Sequence, residues 1–296
     1  MNEVKSFLSY IEFEKRYSPH TLLSYSNDID QFSSFCQRTF DEPNILNANH
    51  TYIRSWMVSL LEAGDKASTI NRKVSSLKSL YKYLLKRKLI DSNPTARLTR
   101  PKTPKRLPTF IDEKATVGLM EQINENIEEM EGYRNMVMME IFYTTGLRRS
   151  ELMNLTPASI DSHKLQIKVM GKGGKERIIP ISHDLLQKME TLLEFNRQLD
   201  CSDKEDYLFL TIKGKKVYPE LIYSIIKKQL SHVTTLQKRS PHVMRHTFAT
   251  HLLNNGADLN AIKDLMGHSS LASTQVYTHN SIEKLKNIYK QAHPKA

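Results

Sequence analysis

A proline-rich break constrains this chain more than any other feature, because it separates two helical stretches. Residues 91–110 read DSNPTARLTRPKTPKRLPTF and contain four prolines and five basic residues. Proline cannot continue a helix, and it biases the residue before it toward extended backbone. The sequence therefore predicts a basic linker at 91–110 between an N-terminal domain, residues 1–90, and a second domain, residues 111–296.

The N-terminal domain is predicted to be all helical. Ser18-Pro19 is typical of a helix start, with a hydroxyl cap before a proline at the first helical position. The apolar residues after it recur every three or four positions as one stripe: Leu22, Tyr25, Ile29, Phe32 and Cys36. A second helix is predicted from about 67 to 86. Its expected buried face consists of Ile70, Val74, Leu77, Tyr81 and Leu84.

The second domain is predicted to be mostly helical with a small antiparallel sheet. Helices are expected at about 112–130, 133–144, 183–198, 219–231, 241–255 and 258–266, with a final amphipathic helix at 281–292. Two short strands, 165–169 and 176–181, flank the glycine-rich turn MGKGGK. The predicted fold class is therefore mainly α, with an all-helical first domain and one small sheet in the second.

The charge balance favours a polyanionic partner. Lys and Arg total 43 against 32 Asp and Glu, for a net charge of +11 and a pI of about 9.4. DNA, RNA or an anionic membrane surface fits this excess, and so does a merely basic soluble protein. No apolar run approaches the ~20 residues of a membrane helix, and the N-terminus lacks a signal-peptide pattern. The two cysteines have no paired-ligand spacing, which argues against a disulfide framework and suits a reducing compartment. Together these features lead us to expect a cytoplasmic protein with no membrane partner.

Basic and small polar side chains are expected off the buried face of the 67–86 helix. They are Arg72, Ser75, Ser76, Lys78, Ser79 and Lys82. Such a surface suits a DNA major groove, where Arg and Lys reach phosphates and base edges. With Arg106 of the linker, this makes Arg72, Lys78 and Lys82 candidate DNA contacts. A solvated helix face and a plain basic spacer would show the same pattern.

Three segments concentrate cationic and hydrogen-bonding side chains: 145–152, 242–246 and 267–270, with Tyr277 nine residues after His268. His242 and His246 have a spacing that allows a shared metal ion. However, no Glu lies between them and the adjacent Arg245 opposes a bound cation, so no metal is expected. A phosphate site fits better, because guanidiniums grip non-bridging oxygens in fork geometry and stay protonated.

The candidate chemistry is phosphoryl transfer to a tyrosine. Arg148 and Arg245 would hold the phosphate, and Lys172 on the hairpin turn would protonate the departing 5′ oxygen. The Tyr277 phenol, with a free pKa of about 10, can attack once its proton is taken and its charge is stabilised. Alone, each of these residues has an ordinary structural explanation; their joint order and spacing carry the prediction.

At these residues the chain resembles the tyrosine recombinases, and most of all the Xer-type site-specific recombinases. The matching stretches are SPHTLLSYSNDIDQF at 18–32, TTGLRRSELMNL at 144–155, GKGGKERIIPI at 171–181, SPHVMRHTFATHLLNNGAD at 240–258 and IKDLMGHSSLASTQVYTH at 262–279. The resemblance covers nearly the whole chain. It implies a DNA-clamping, SAM-like N-terminal domain and a catalytic domain that cuts and rejoins DNA.

The resemblance also implies roles for individual residues. Arg148 is similar to the family's first catalytic arginine, Lys172 to the general acid, and His242 with Arg245 to the His-x-x-Arg pair. His268 matches a position filled by His or Trp, and Tyr277 matches the nucleophile. Lys175, on the same turn, is a weaker rival to Lys172. No cofactor is implied.

The implied partner is a double-stranded DNA recombination site. Two protomers would clamp each site, and four would assemble as a homo- or hetero-tetramer on two sites. The final helix, 281–292, would dock into a neighbouring protomer, although packing within its own chain fits the sequence equally. A type IB topoisomerase and a DNA-binding regulator without catalysis are the alternative functions. Dimer resolution and mobile-element integration, excision or inversion all stay open as cellular roles.

Overall fold

The computed structural model describes residues 2–103, 110–125, 129–171, 174, 176–199, 206–231, 239–267 and 292. The chain divides into two compact units, Met1–Arg106 and Leu107–Ala296, each with its own hydrophobic core. Both units are mainly helical, and within the described residues the second contains one three-stranded antiparallel sheet. The predicted fold class is confirmed.

The N-terminal unit is built from four α-helices: α1 Asn2–Ser9, α2 Pro19–Phe40, α3 His50–Glu62 and α4 Ala67–Lys86. A π-helical turn, Tyr10–Glu14, follows α1, and a 3-10 turn, Ile45–Asn47, precedes α3. The predicted start of α2 is confirmed, because the Ser18 hydroxyl accepts a hydrogen bond from the Thr21 backbone N–H at 3.3 Å. The apolar stripe of α2 packs into the core of this unit.

Helix α4 supplies much of this core, and its five predicted core residues are all fully buried. The prediction for Ser76 is wrong: it is buried rather than solvent-facing, and its hydroxyl donates to Asp28 Oδ2 at 3.1 Å. Asp28 on α2 is itself buried, so its carboxylate needs nearby donors. Arg72 provides two more, from Nη1 at 2.5 Å and from Nη2 at 2.8 Å.

The second unit contains seven α-helices, one 3-10 turn, Pro157–Ser159, and three strands among its described residues. The helices are α5 Glu113–Glu125, α6 Met130–Thr145, α7 Arg149–Met153, α8 His183–Arg197, α9 Pro219–Ser231, α10 Pro241–Asn254 and α11 Leu259–Met266. The strands are β1 Ile160–Asp161, β2 Gln166–Met170 and β3 Glu176–Pro180. Strand β1 was missed, because two residues carry no periodic signal. Helix α5 ends earlier than predicted, at Glu125, and α6 begins earlier, at Met130.

Helix α6 lies at the centre of the second unit and packs against both α8 and α10. Strand β2 pairs antiparallel with β1 and β3, and Val169 lies opposite Arg177. Arg177 and Ile179 are both buried, as expected for alternate residues on one face of a strand. In the described part of the chain, no helix has the combined length and apolarity needed to cross a bilayer.

Candidate active site

The candidate site lies where the end of α6 packs closely against α10. Helix α6 ends at Thr145 and is capped by Gly146, which has a left-handed φ of +59°. A β-carbon on Gly146 would lie 2.3 Å from Cδ1 of Phe248 on α10, closer than atoms can approach. Only glycine therefore fits both this backbone conformation and this contact. The turn at Gly146 leads directly to Arg148, and the facing helix carries Arg245.

The Arg245 side chain is buried at the junction of α6, α10 and α11. Its Nη1 donates to the Gly146 carbonyl and its Nη2 to the Met266 carbonyl, both at 2.5 Å. Burial and then the nearby charge of Arg148 lower the pKa of Arg245 to about 10. The group therefore remains a cation at neutral pH, although it lies in a pocket that disfavours charge.

Arg148 lies immediately before α7 and meets Arg245 at the C-terminal end of α11. Its Nη1 donates to Glu151 Oε1 at 2.7 Å, and its Nη2 donates to the Gly267 carbonyl at 2.8 Å. Met266 and Gly267 are consecutive, so the two predicted arginines bind neighbouring carbonyls. Among the described residues, each guanidinium uses two of its five N–H donors in these bonds. Within that part of the chain, donors on both side chains therefore remain for an anionic ligand.

Glu151 is the buried counter-ion of this cluster, with a side chain only 4% exposed. Its Oε2 accepts from the Arg148 backbone N–H at 2.7 Å, the reciprocal bond of a helix capping box. Arg177 on β3 donates to both carboxylate oxygens, at 2.7 and 2.8 Å. Burial alone raises the pKa of Glu151, but the hydrogen bonds from Arg177 and Arg148 outweigh it and lower the pKa to about 2.

Sequence reasoning assigned no role to Glu151 or Arg177. The available signals were a glutamate at the third position of a short helix and an arginine at an inward-facing position of β3. Arg177 also donates from Nε to the Leu265 carbonyl at 2.8 Å. It therefore joins three elements around the arginine pair: α7, β3 and α11.

The remaining predicted residues divide into two groups. His242 lies exposed on the first turn of α10 and His246 one turn later. Lys172, Lys175, His268, Tyr277 and Arg106 lie outside the described residues. The described ranges contain no group of three His, Cys, Asp or Glu side chains arranged to hold a metal ion.

The candidate DNA contacts on α4 have different surroundings. Lys82 is exposed, Lys78 is half-buried, and the Arg72 side chain is 48% exposed while bound to Asp28. Of the predicted final helix, 281–292, only Ala292 is described. It is buried in the core of the second unit, and its carbonyl accepts from Asn255 Nδ2 at 2.9 Å.

Comparison with known proteins adds the family. Residues 110–284 match the phage integrase family, and residues 4–88 match the phage integrase N-terminal SAM-like domain. The chain belongs to the phage integrase family. Tyrosine recombinase XerC of Bacillus subtilis (strain 168) is 35% identical over 302 residues, with 100% of this chain and 97% of the relative covered. XerC of Leptospira interrogans serovar Lai (strain 56601) is 36% identical over 299 residues, with coverages of 100% and 94%.

Solved structures of this family share the fold. The Tn1549 transposon integrase, in complex with transposon right end DNA, aligns with a TM-score of 0.72 at 20% identity, covering 97% of this chain and 94% of that one. The XerH site-specific recombinase, bound to its difH substrate, aligns with a TM-score of 0.64 at 21% identity, covering 91% and 78%. The chain is accordingly a tyrosine site-specific recombinase.

Proposed function

We propose that this recombinase cuts and rejoins double-stranded DNA through a covalent 3′-phosphotyrosine at Tyr277. The observation that supports it most is the meeting of Arg148 and Arg245 at the end of α11, where both guanidiniums keep N–H donors that no described residue uses. Two adjacent guanidiniums, both charged at neutral pH, suit a phosphodiester whose non-bridging oxygens gain charge in the transition state. The backbone leaves α11 at Gly267, directly before His268.

In the proposed reaction, the Tyr277 phenolic oxygen attacks the scissile phosphorus and the bond from phosphorus to the 5′ oxygen breaks. Arg148 and Arg245 stabilise the non-bridging oxygens, and Lys172 gives a proton to the departing 5′ oxygen. The phenolic proton passes to a histidine of the site. The candidate histidines are His242 and His268. The phosphotyrosine conserves the energy of the broken phosphodiester, so a second 5′-hydroxyl can reverse the step without ATP or a metal ion.

The proposed partner is a double-stranded DNA recombination site. The net charge of +11 and the exposed cationic face of α4 support this assignment. We place Arg72, Lys78, Lys82 and Arg106 against DNA, and we place the protein in the cytoplasm, where such DNA lies. Four protomers, identical or related, would assemble on two sites. The XerC relatives favour dimer resolution over mobile-element movement.

Covalent trapping tests the chemistry. A binding site is first selected from random-sequence duplexes and footprinted, and a nicked duplex of that site is then incubated with the protein. The nick releases a short 5′-hydroxyl strand after cleavage, which prevents religation. We expect a protein–DNA adduct on a denaturing gel with the wild-type chain, no adduct with Tyr277→Phe, and unchanged cleavage in EDTA.

The alternatives give different results in the same assay. Absence of an adduct on the footprinted site would favour a DNA-binding regulator, and an adduct that persists in Tyr277→Phe would refute the nucleophile. Loss of cleavage in EDTA would restore a metal-dependent mechanism. Efficient relaxation of a supercoiled plasmid that lacks the selected site would favour topoisomerase activity.

A further inference from the structure

Three consecutive carbonyls at the C-terminal end of α11 each bind a different arginine. Leu265 accepts from Arg177 Nε at 2.8 Å, Met266 from Arg245 Nη2 and Gly267 from Arg148 Nη2. The last carbonyls of a helix lack intrahelical partners and carry the negative end of its dipole. The three side chains come from β3, α10 and the start of α7, so the end of α11 fixes the cationic pocket in place.

Arg177 is held by the protein through more of its donors than the other two arginines. Its side chain is 4% exposed, and all three of its nitrogens donate: Nε to Leu265, and Nη1 and Nη2 to Glu151. It also packs against Gly267, where a β-carbon would lie 3.2 Å from its Cδ and its Nη1. Gly267 has a left-handed φ of +62°, which suits glycine.

The carboxylate of Glu151 is completely used. Its two oxygens accept four bonds, two from Arg177 and two from Arg148, one of these from the Arg148 backbone. A carboxylate has about four acceptor sites, so Glu151 cannot accept further hydrogen bonds from Arg148. The other N–H groups of Arg148 therefore stay available for a ligand. Without Arg177, two sites would open beside Arg148.

We propose that Arg177 is a positioning residue for strand cleavage: it occupies Glu151, so that Arg148 keeps free donors for the scissile phosphate, and it holds the end of α11 that both substrate-binding arginines share. The proposal rests on the proposed function, since it concerns the same phosphate site. Arg177 does not touch the DNA in this scheme, and its effect passes through Glu151, Arg148 and the α11 carbonyls.

The charge of the cluster makes the proposal testable. Three arginines and one glutamate give a net charge of +2. Arg177→Gln lowers this charge to +1 and leaves Glu151 competing with the phosphate for Arg148. The double variant Arg177→Gln/Glu151→Gln restores +2 and removes the competitor. If Arg177 only stabilised the fold, the double variant would be less active than Arg177→Gln.

The experiment measures single-turnover cleavage of the nicked duplex at saturating protein, together with the Kd for the same duplex. We expect Arg177→Gln to cleave about 100-fold more slowly, the loss typical of a misplaced catalytic group. Its Kd should stay within about threefold, because the buried Arg177 makes no DNA contact. The double variant should recover about tenfold of the lost rate. Lys168→Gln is the matched control, because it removes an exposed cation, paired with Glu176, from the neighbouring strand, and its rate should not change.

Each outcome has a distinct meaning. If the wild-type chain cleaves the duplex and Arg177→Gln cleaves it at the same rate, the positioning role is overturned and the proposed function stays intact. A double variant slower than Arg177→Gln would also overturn it, in favour of a structural role. If Arg177→Gln fails to fold, Arg177→Lys retains the charge with fewer donors. The melting transition of Arg177→Lys shows whether this variant is folded. The folded variant should cleave at a rate between those of the wild-type chain and Arg177→Gln, with an unchanged Kd. Cleavage by Arg177→Lys at the wild-type rate would refute the proposal. Failure of the wild-type chain to cleave would instead refute the function.

Discussion

Replacement of Glu151 by glutamine should destabilise the second unit by an amount that depends on pH. The Glu151 pKa of about 2, against an ordinary 4.5, corresponds to about 3 kcal/mol of folding free energy, at 1.36 kcal/mol per pH unit. This agrees with the roughly 3–5 kcal/mol lost when one partner of a buried ion pair is removed. Because the pKa of the folded state is lowered, this stability is fully present above pH 4.5 and is lost as the pH falls from 4.5 toward 2.

The measurement is urea unfolding of the wild-type chain and of Glu151→Gln, followed by circular dichroism between pH 7 and pH 2.5. Glutamine resembles a protonated glutamate, so the two free energies of unfolding should differ by about 3 kcal/mol at pH 7 and converge toward pH 2. Fluorescence of the single tryptophan, Trp56, reports the N-terminal core and should not change. Glu190→Gln, at an exposed position on α8, is the matched control. A difference that stays constant across this pH range would refute the reasoning.

Three further variants probe the packing and the DNA contacts. Gly146→Ala should lower the free energy of unfolding by about 2–4 kcal/mol in urea titrations, because it adds left-handed strain and a clash with Phe248. Asp28→Asn should cost the N-terminal unit about 1–2 kcal/mol, measured by tryptophan fluorescence, because it weakens the paired hydrogen bonds from Arg72. Lys82→Gln should reduce the slope of log Kd against log salt by about 1, measured by fluorescence anisotropy.

These variants have separate controls. Gly64→Ala, whose β-carbon would meet nothing within 4 Å, isolates the cost of a positive φ from the clash at Gly146. An equal loss of unfolding free energy at the two glycines would show that the contact with Phe248 adds nothing to the cost of Gly146→Ala. Lys5→Gln removes an exposed cation from a different helix, α1. An equal change of salt slope for Lys5 and Lys82 would argue against a DNA contact on α4.

Local sequence patterns predicted the elements well, because a helix needs only neighbouring residues to form. The cap at Ser18 and the apolar stripes of α2 and α4 are found as predicted. Ser76 was predicted wrongly, since a polar residue beside an apolar stripe is usually solvated. Its burial depends on Asp28, 48 positions earlier in the chain, and no local pattern reveals that an interface will contain a charge.

The sequence by itself determined the helical fold class and pointed to the arginines, Arg148 and Arg245, on which the proposed chemistry depends. Only the tertiary structure decided how those arginines are held. Arg148 meets Gly267 across 119 positions, and Arg177 meets Glu151 across 26. Periodicity and caps report which face of an element is apolar. The choice of partner for a buried charge depends on which elements pack together, here α7, β3 and the end of α11.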